Sequence, residues 1–371
     1  MVKVRVLVVE DSFFMRQAIV RILNHPDIEV IDTAKNGKEA VEKVLELKPD
    51  VVTMDIEMPV MNGLDALKEI MSKYPTPVIM FSTLTSEGAD TTVEALSEGA
   101  VDFIAKRPAF QEMDSLRDEV LNKVLSIGKN DNLKNQLIRM RLLRRMSSNT
   151  PKSNTISFTH QIASKSKANE TSKTNKSNKP RPKANEIGII GIGISTGGPK
   201  TLNELLVNLP ENISVPIVIV QHMPPKFTKS LAQRLDSTCK IKVKEAEEGD
   251  KLFSGTVFII PGGFQVIITK KLSIELIEEN SYLFKPSVDY MFDSIIKVYG
   301  KSALGIIMTG MGNDGQKSFE KLHSIGGYVI AQSPESCTIA GMPKSVIDAG
   351  AADEILNVNE ISNFIKEIFG N

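Results

Sequence analysis

Short apolar runs recur along this chain at intervals that leave room for a helix between them. In the first third they are Val4 to Val9, Glu29 to Ala34, Val51 to Met54, Pro77 to Ser82 and Ala100 to Ile104. Between the first two, Phe14, Ala18 and Ile22 recur at helical spacing up to Asn24, after Asp11-Ser12 as a plausible cap. Asn36-Gly37 reads as a turn, and a helix follows through Leu47. The last half repeats the alternation. Strand-like runs at Ile187 to Ile194, Ile217 to Gln221, Thr256 to Ile260, Ala303 to Thr309 and Gly327 to Ala331 are separated by helix-compatible stretches such as Lys200 to Asn208 and Val288 to Tyr299. Strands alternating with helices predict a mostly parallel sheet covered on both faces. The pattern therefore predicts two doubly wound α/β units.

Between them the pattern stops. From about Ser147 to Asn185 the chain is Ser, Asn, Thr and Lys with almost no large apolar residues, too little to offset the entropy of ordering. A flexible linker is expected there. Basic residues far outnumber acids in it, and the helical-looking segment from Asn132 to Met146 adds Arg139, Arg141, Arg144 and Arg145. A solvated tether explains these charges, and an anionic partner surface is the alternative. The chain's 371 residues exceed what one core usually holds. With 45 basic and 45 acidic residues the formal net charge is zero, which gives no reason to expect nucleic acid. Two cysteines, Cys239 and Cys337, imply no disulfide framework and favour a reducing compartment. The opening MVKVRVLVVEDS turns acidic too early for a signal peptide, and no apolar run approaches the roughly 18 residues of a membrane span. A cytoplasmic protein without membrane insertion is expected.

In open α/β sheets, ligands sit outside the carboxyl ends of the strands. Ending the N-terminal strands there places Glu10, Asp11, Asp55, Thr83 and Lys106 around one crevice. Three carboxylates so close repel one another unless a hard cation such as Mg2+ takes their oxygens. Asp55 would then accept a phosphoryl group as an acyl phosphate, with Lys106 pairing with its oxygens and Thr83 donating a hydroxyl hydrogen bond.

The C-terminal strands end in different chemistry. Gly193-Ile194-Ser195-Thr196-Gly197 matches the G-x-S-x-G elbow in a strand-to-helix context, with the following helix directing N–H groups toward a developing oxyanion. The same loop approximates a dinucleotide fingerprint. Against that reading, Ser195 sits where the fingerprint wants no side chain, and the strand about 20 residues later ends in His222 rather than an acid. Of the four histidines, His222 is the best placed to serve a serine nucleophile. Asp314, in the loop Thr309-Gly310-Met311-Gly312-Asn313-Asp314-Gly315, is available as the orienting acid of such a set, although the loop by itself also suits a metal, a phosphate or a turn.

Two resemblances arise from these motifs. Residues 2 to about 127 resemble a response-regulator receiver domain, of flavodoxin-like fold, through VLVVEDS, VTMDIEMPVMNGLDAL, MFSTLT and VDFIAK. The resemblance implies Glu10 and Asp11 as the acidic pair that holds Mg2+ with Asp55, Asp55 as phosphoacceptor, and Thr83, Phe103 and Lys106 as switch residues. Two departures stand out: the pair is Glu-Asp, and Arg107 intervenes between Lys106 and Pro108. Residues about 186 to 368 resemble the catalytic domain of chemotaxis protein-glutamate methylesterases, the CheB family, through GIGISTGGP, IVIVQHMPP, FIIPGG, KPSVD and IMTGMGNDG. That resemblance implies Ser195 as nucleophile, His222 as base and Asp314 as orienting acid, with Thr196 and the Met311 backbone helping at the histidine or the oxyanion.

Together the resemblances imply a receiver domain over 1–127, a helical extension and basic linker over 128–185, and a catalytic domain over 186–371. They imply hydrolysis of glutamate γ-methyl esters on chemoreceptors, and deamidation of glutamines, with no cofactor for the esterase step. The phosphodonor would be a chemotaxis histidine kinase. The unphosphorylated receiver would cover the active site. A response regulator with a non-catalytic binding output is the competing expectation, although no helix-turn-helix with a basic recognition helix is legible.

Overall fold

The computed structural model describes residues 2–106, 113–148, 179–279 and 281–370. Arg107, Pro108, most of the basic linker and the side chains of Arg144 and Arg145 lie outside the described residues. The N-terminal unit runs β1 (Val4–Val9), α1 (Phe13–Ile22), β2 (Ile28–Ala34), α2 (Gly37–Leu47), β3 (Val51–Asp55), α3 (Gly63–Lys73), β4 (Val78–Thr83), α4 (Ser86–Glu98), β5 (Asp102–Lys106) and α5 (Met113–Gly128). Its strands form one parallel sheet in the order β2-β1-β3-β4-β5. β5 lies two residues later than its apolar pattern predicts, because Val101 donates its N–H to Val78 before the ladder begins. That shift places Lys106 within the strand, beside Thr83.

The helix expected over 132–146 is α6 (Asp131–Ser148). Its Leu133 and Leu137 are buried with Val4, Val6 and Val51 of the first unit. Arg141 lies 3.7 Å over the Tyr74 ring and donates to the Pro75 carbonyl, so this residue of the basic stretch is used in packing. At the far end of the linker, Lys179 donates to the Gly327 carbonyl, and Arg181 makes a two-pronged contact with Glu354 at 2.7 and 2.6 Å. The last residues of the stretch read as flexible are thus held to the second unit.

That unit runs β6 (Ile189–Ile194), α7 (Gly198–Leu206), β7 (Ile217–Gln221), α8 (Phe227–Thr238), β8 (Lys242–Glu245), β9 (Thr256–Ile259), β10 (Gln265–Ile268), β11 (Ile274–Ile277), α9 (Val288–Tyr299), β12 (Ala303–Ile307), α10 (Gln316–Ser324), β13 (Tyr328–Gln332), α11 (Gly341–Asp348), β14 (Glu354–Leu356) and α12 (Val358–Phe369). Seven strands pair in the order β14-β13-β12-β6-β7-β9-β8, every pair parallel, and β10 with β11 forms a separate antiparallel hairpin. β6 is buried at every position, as a central strand covered on both faces must be, which is why it reads as an unbroken apolar run. Gly191 and Gly193 allow α9 to lie directly across it: a Cβ at Gly191 would meet the Phe292 ring at 2.5 Å, and one at Gly193 would meet Val288 at 2.6 Å. β8, β10, β11 and β14 were not anticipated. Each has only three or four residues, and alternation cannot be distinguished from irregular chain over so short a span.

The two units share a hydrophobic cluster. Phe103 of the first stacks on Phe227 of the second, centroids 4.7 Å apart and planes 10° from parallel. α4 packs against α8, and Lys226 donates to the Leu84 carbonyl at 3.3 Å. A second cluster lies wholly within the C-terminal unit, from Ile189 to Ala351, and supplies that unit with a core of its own.

Candidate active site and phosphoacceptor site

The register of three neighbouring strands assembles the C-terminal site. Ile194 pairs with Gln221 across β6 and β7, so Ser195 and His222 emerge side by side, and the His222 N–H donates to the Ile194 carbonyl at 3.1 Å. On the other side β12 pairs Ile307 with Gly193, which brings the loop carrying Asp314 to the same edge. The elbow is fixed through its backbone. The Ser195 N–H donates to Thr309, the Ser195 carbonyl accepts from Gly198 at 2.8 Å and from the Gln221 amide at 3.0 Å, and Gly197 takes φ +76° before α7 begins. Glycine is suited to that positive φ, which turns the strand sharply into the helix.

His222 Nε2 lies 2.8 Å from Asp314 Oδ2, with both side chains less than a tenth exposed. Among the described residues, His222 Nδ1 is buried and has no hydrogen-bond partner, so with the proton on Nε2 it is the nitrogen left to accept one. Asp314 is held at the N-terminus of α9, accepting from Ser287 Oγ at 2.9 Å and from the N–H groups of Val288 and Asp289 at 2.7 and 3.1 Å. Burial pushes its carboxyl upward, but His222 and these backbone donors outweigh it and hold Asp314 below the usual carboxylate range. It is thus kept ionised beside the imidazole.

Thr196, next to Ser195, and Met311, in the loop that carries Asp314, both contact the N-terminal unit. Thr196 Oγ1 donates to Asp102 Oδ2 at 2.8 Å, a buried hydrogen bond between the units. Met311 Sδ lies 3.6 Å from Ser126 Oγ of α5. Lys123 balances Asp102 from behind at 3.3 Å and donates to the Phe103 carbonyl at 2.6 Å. Burial would lower the Lys123 ammonium, but Asp102 and Glu119 raise it above its ordinary value. Asp102, Lys123, Ser287 and the Gln221 brace were not singled out in the sequence. Asp102 and Ser287 lie within quoted motifs, but no local signal says what they face.

At the second site, Lys106 Nζ lies 2.7 Å from Asp55 and 2.9 Å from Glu10 Oε2. Burial and the Asp55 charge raise Glu10 to about 7 despite Lys106. Glu10, Asp11 and Asp55 each offer a carboxylate oxygen within 4.8 Å of the others, an all-oxygen donor set that fits a hard divalent cation. Thr83 shares a hydrogen bond of 3.2 Å with Thr85, whose hydroxyl caps α4 through the Gly88 N–H.

Comparisons with known proteins match each unit to a family. A response regulator receiver domain model matches residues 6–117, and a CheB methylesterase model matches residues 190–365. A protein-glutamate methylesterase/protein-glutamine glutaminase of Colwellia psychrerythraea is 40% identical over 98% of this chain and 98% of its own. One of the same description from Archaeoglobus fulgidus is 40% identical over 97% of each. A crystal structure of the Thermotoga maritima CheB methylesterase catalytic domain is 43% identical, covers 49% of this chain and 98% of that one, and has a TM-score of 0.48.

Proposed function

The chain belongs to the protein-glutamate methylesterase/protein-glutamine glutaminase family, and from that premise we propose that Ser195, His222 and Asp314 perform its hydrolysis in two acyl-transfer steps. It is a phosphorylation-regulated chemotaxis methylesterase, an N-terminal receiver joined to a CheB catalytic domain. The observation that carries the assignment of residues is the 2.8 Å contact between His222 Nε2 and Asp314 beside a backbone-braced Ser195. Ser195 Oγ attacks the γ-carbonyl of a methyl-esterified glutamate while His222 Nδ1 takes its proton. The oxyanion meets N–H groups at the turn into α7, with Thr196 and the Met311 backbone as supports. The C–O bond to methoxide then breaks, and His222 returns its proton so that methanol leaves. Water, activated by the same base, splits the acyl-enzyme to glutamate. With a glutamine side chain the leaving group is ammonia. Methanol release from methylated chemoreceptor membranes tests the assignment, and absence of release from the unaltered protein would refute it.

The receiver supplies the control. A divalent cation held by Glu10, Asp11 and Asp55 would shield an incoming phosphoryl group from their charge, and Asp55 would carry the acyl phosphate. Lys106 would pair with its oxygens. Thr83 would leave Thr85 to donate to it, which changes the cap of the helix that packs on α8. Phosphorylation from acetyl phosphate should therefore require Mg2+ or Mn2+. Excess chelator should abolish incorporation of phosphate, and undiminished incorporation would contradict this site.

The bond from Thr196 to Asp102 supports a receiver that covers the site in this arrangement and occupies a hydroxyl that belongs to catalysis. Asp102→Ala removes the acceptor, while Lys123 keeps Glu119 at 3.1 Å. A hydrogen bond to a charged group contributes about 1.5 to 3 kcal/mol, so the variant should show roughly tenfold higher basal methanol release without phosphodonor. Unchanged basal release would mean that the bond does not restrain opening. No described helix is long and apolar enough to cross a membrane. A chemoreceptor as substrate and a chemotaxis histidine kinase as phosphodonor follow from the family. The two free cysteines, Cys239 and the buried Cys337, suit the reducing interior of a cell.

A further inference from the structure

The loop from Ser281 to Ser287, between β11 and α9, passes over the histidine. Its Phe284 ring lies parallel to the His222 imidazole, 7° between planes and 4.3 Å between centroids. The loop does not drape there by chance. Gln265, wholly buried at the start of β10, donates from Nε2 to the Phe284 carbonyl at 2.7 Å and accepts from the Ser287 N–H at 2.8 Å. One buried amide thus brackets the two residues between, and its far hand steadies the serine whose hydroxyl holds Asp314. The Gly263 N–H adds a third bond, to the Lys285 carbonyl.

A histidine's second torsion is broad, so rotamer preference alone does not set its ring plane. The Asp314 bond restrains one nitrogen and still leaves the ring free to tilt about that contact. A flat ring against one face removes that freedom. It also keeps water from that face and presents a π cloud to the imidazolium formed in each step. We infer that Phe284, locked by Gln265, is a positioning residue that fixes the plane of the His222 base against Asp314, which keeps Nδ1 unpartnered and available to take the Ser195 proton during the reaction.

The inference rests on His222 acting as the base. Its test is the rate at which a fluorophosphonate labels Ser195 in the full chain with Mg2+ and acetyl phosphate, a reaction that needs the base but no receptor docking. Phe284→Leu keeps apolar bulk and loses the flat face; it should slow labelling about tenfold, while Phe284→Tyr stays within about twofold of the unaltered rate, as aromatic pairing energies imply. With methylated receptor, the leucine variant should lose kcat and keep KM. Thermal melting of both variants checks that the fold is intact. Full-rate labelling of Phe284→Leu would overturn the inference, as would a tyrosine variant as slow as the leucine one. His222→Ala separates the two levels. If it labels at the unaltered rate, the assignment of the base fails; if it does not label while Phe284→Leu labels fully, only the role of Phe284 fails.

Discussion

Ser195→Ala should abolish methanol release while leaving the melting temperature nearly unchanged. Ser195 is half-buried, and the bonds that shape the elbow belong to its backbone: its N–H to Thr309, and its carbonyl from Gly198 and the Gln221 amide. Alanine keeps all three. Removing a nucleophile of this kind costs roughly 10^4 to 10^6 in kcat, and removing its base costs nearly as much because the members fail as a unit. His222→Ala should therefore be nearly as inactive, and the double variant no worse than either single one. Asp314→Ala differs in kind. It would leave Ser287 Oγ and the Val288 and Asp289 N–H groups without their acceptor at the start of α9, at a cost of about 2 to 4 kcal/mol in stability on top of the lost activity. Methanol release and thermal unfolding, measured on the same preparations, separate these outcomes. Near-normal turnover by Ser195→Ala or His222→Ala would show that another group carries the chemistry.

Deleting the receiver through the end of α6 should raise basal esterase activity, whereas Asp55→Asn should leave it low and deaf to phosphodonor. The contrast follows from where the contacts lie. Ser195, His222 and Asp314 all belong to the unit that remains, and that unit keeps its own core between Ile189 and Ala351. What is lost is the cover: Asp102 on Thr196, Ser126 on Met311 and the Phe103 ring on Phe227. Asp55→Asn keeps every one of those contacts and removes only the carboxylate that takes the phosphoryl group. When the open state is rare, a bias of about 1.4 kcal/mol already makes it roughly tenfold more populated, and full removal of the cover should exceed that. Phe227 is wholly buried in the intact chain and becomes exposed, so the truncated protein should also be less soluble. Both variants are to be assayed on one preparation of methylated receptor, with and without acetyl phosphate. A truncated enzyme no faster than the unphosphorylated full chain would point to direct activation by the phosphorylated receiver.

Much of the chemistry was legible because buried parallel strands must be apolar on both faces, which makes each one a run that can be recognised locally, and the polar residue after it stands at the sheet edge where ligands bind. Glu10, Asp55, Ser195 and His222 all follow such runs, and the parallel class of both sheets follows from helices alternating with them. The short pieces were not legible: β8, β10, β11 and β14 have three or four residues each, and β5 begins two residues past its apolar start. The loop of 281–287 carries no pattern that says it will lie over His222, since Gln265 holds it from a separate hairpin. Thr196 shows the difference most plainly. Its motif points to the histidine or the oxyanion, yet its single hydroxyl proton goes to Asp102, ninety-four positions away in sequence, because a buried carboxylate is the stronger acceptor once the two units dock. The sequence by itself determined which groups stand at the strand ends and hence which reactions each unit can run. The order β7-β6-β12, which sets three of those groups together, and the face of the receiver that docks on Thr196, Met311 and Phe227 were decided only by tertiary structure, because long-range docking depends on complementary surfaces that no local pattern encodes.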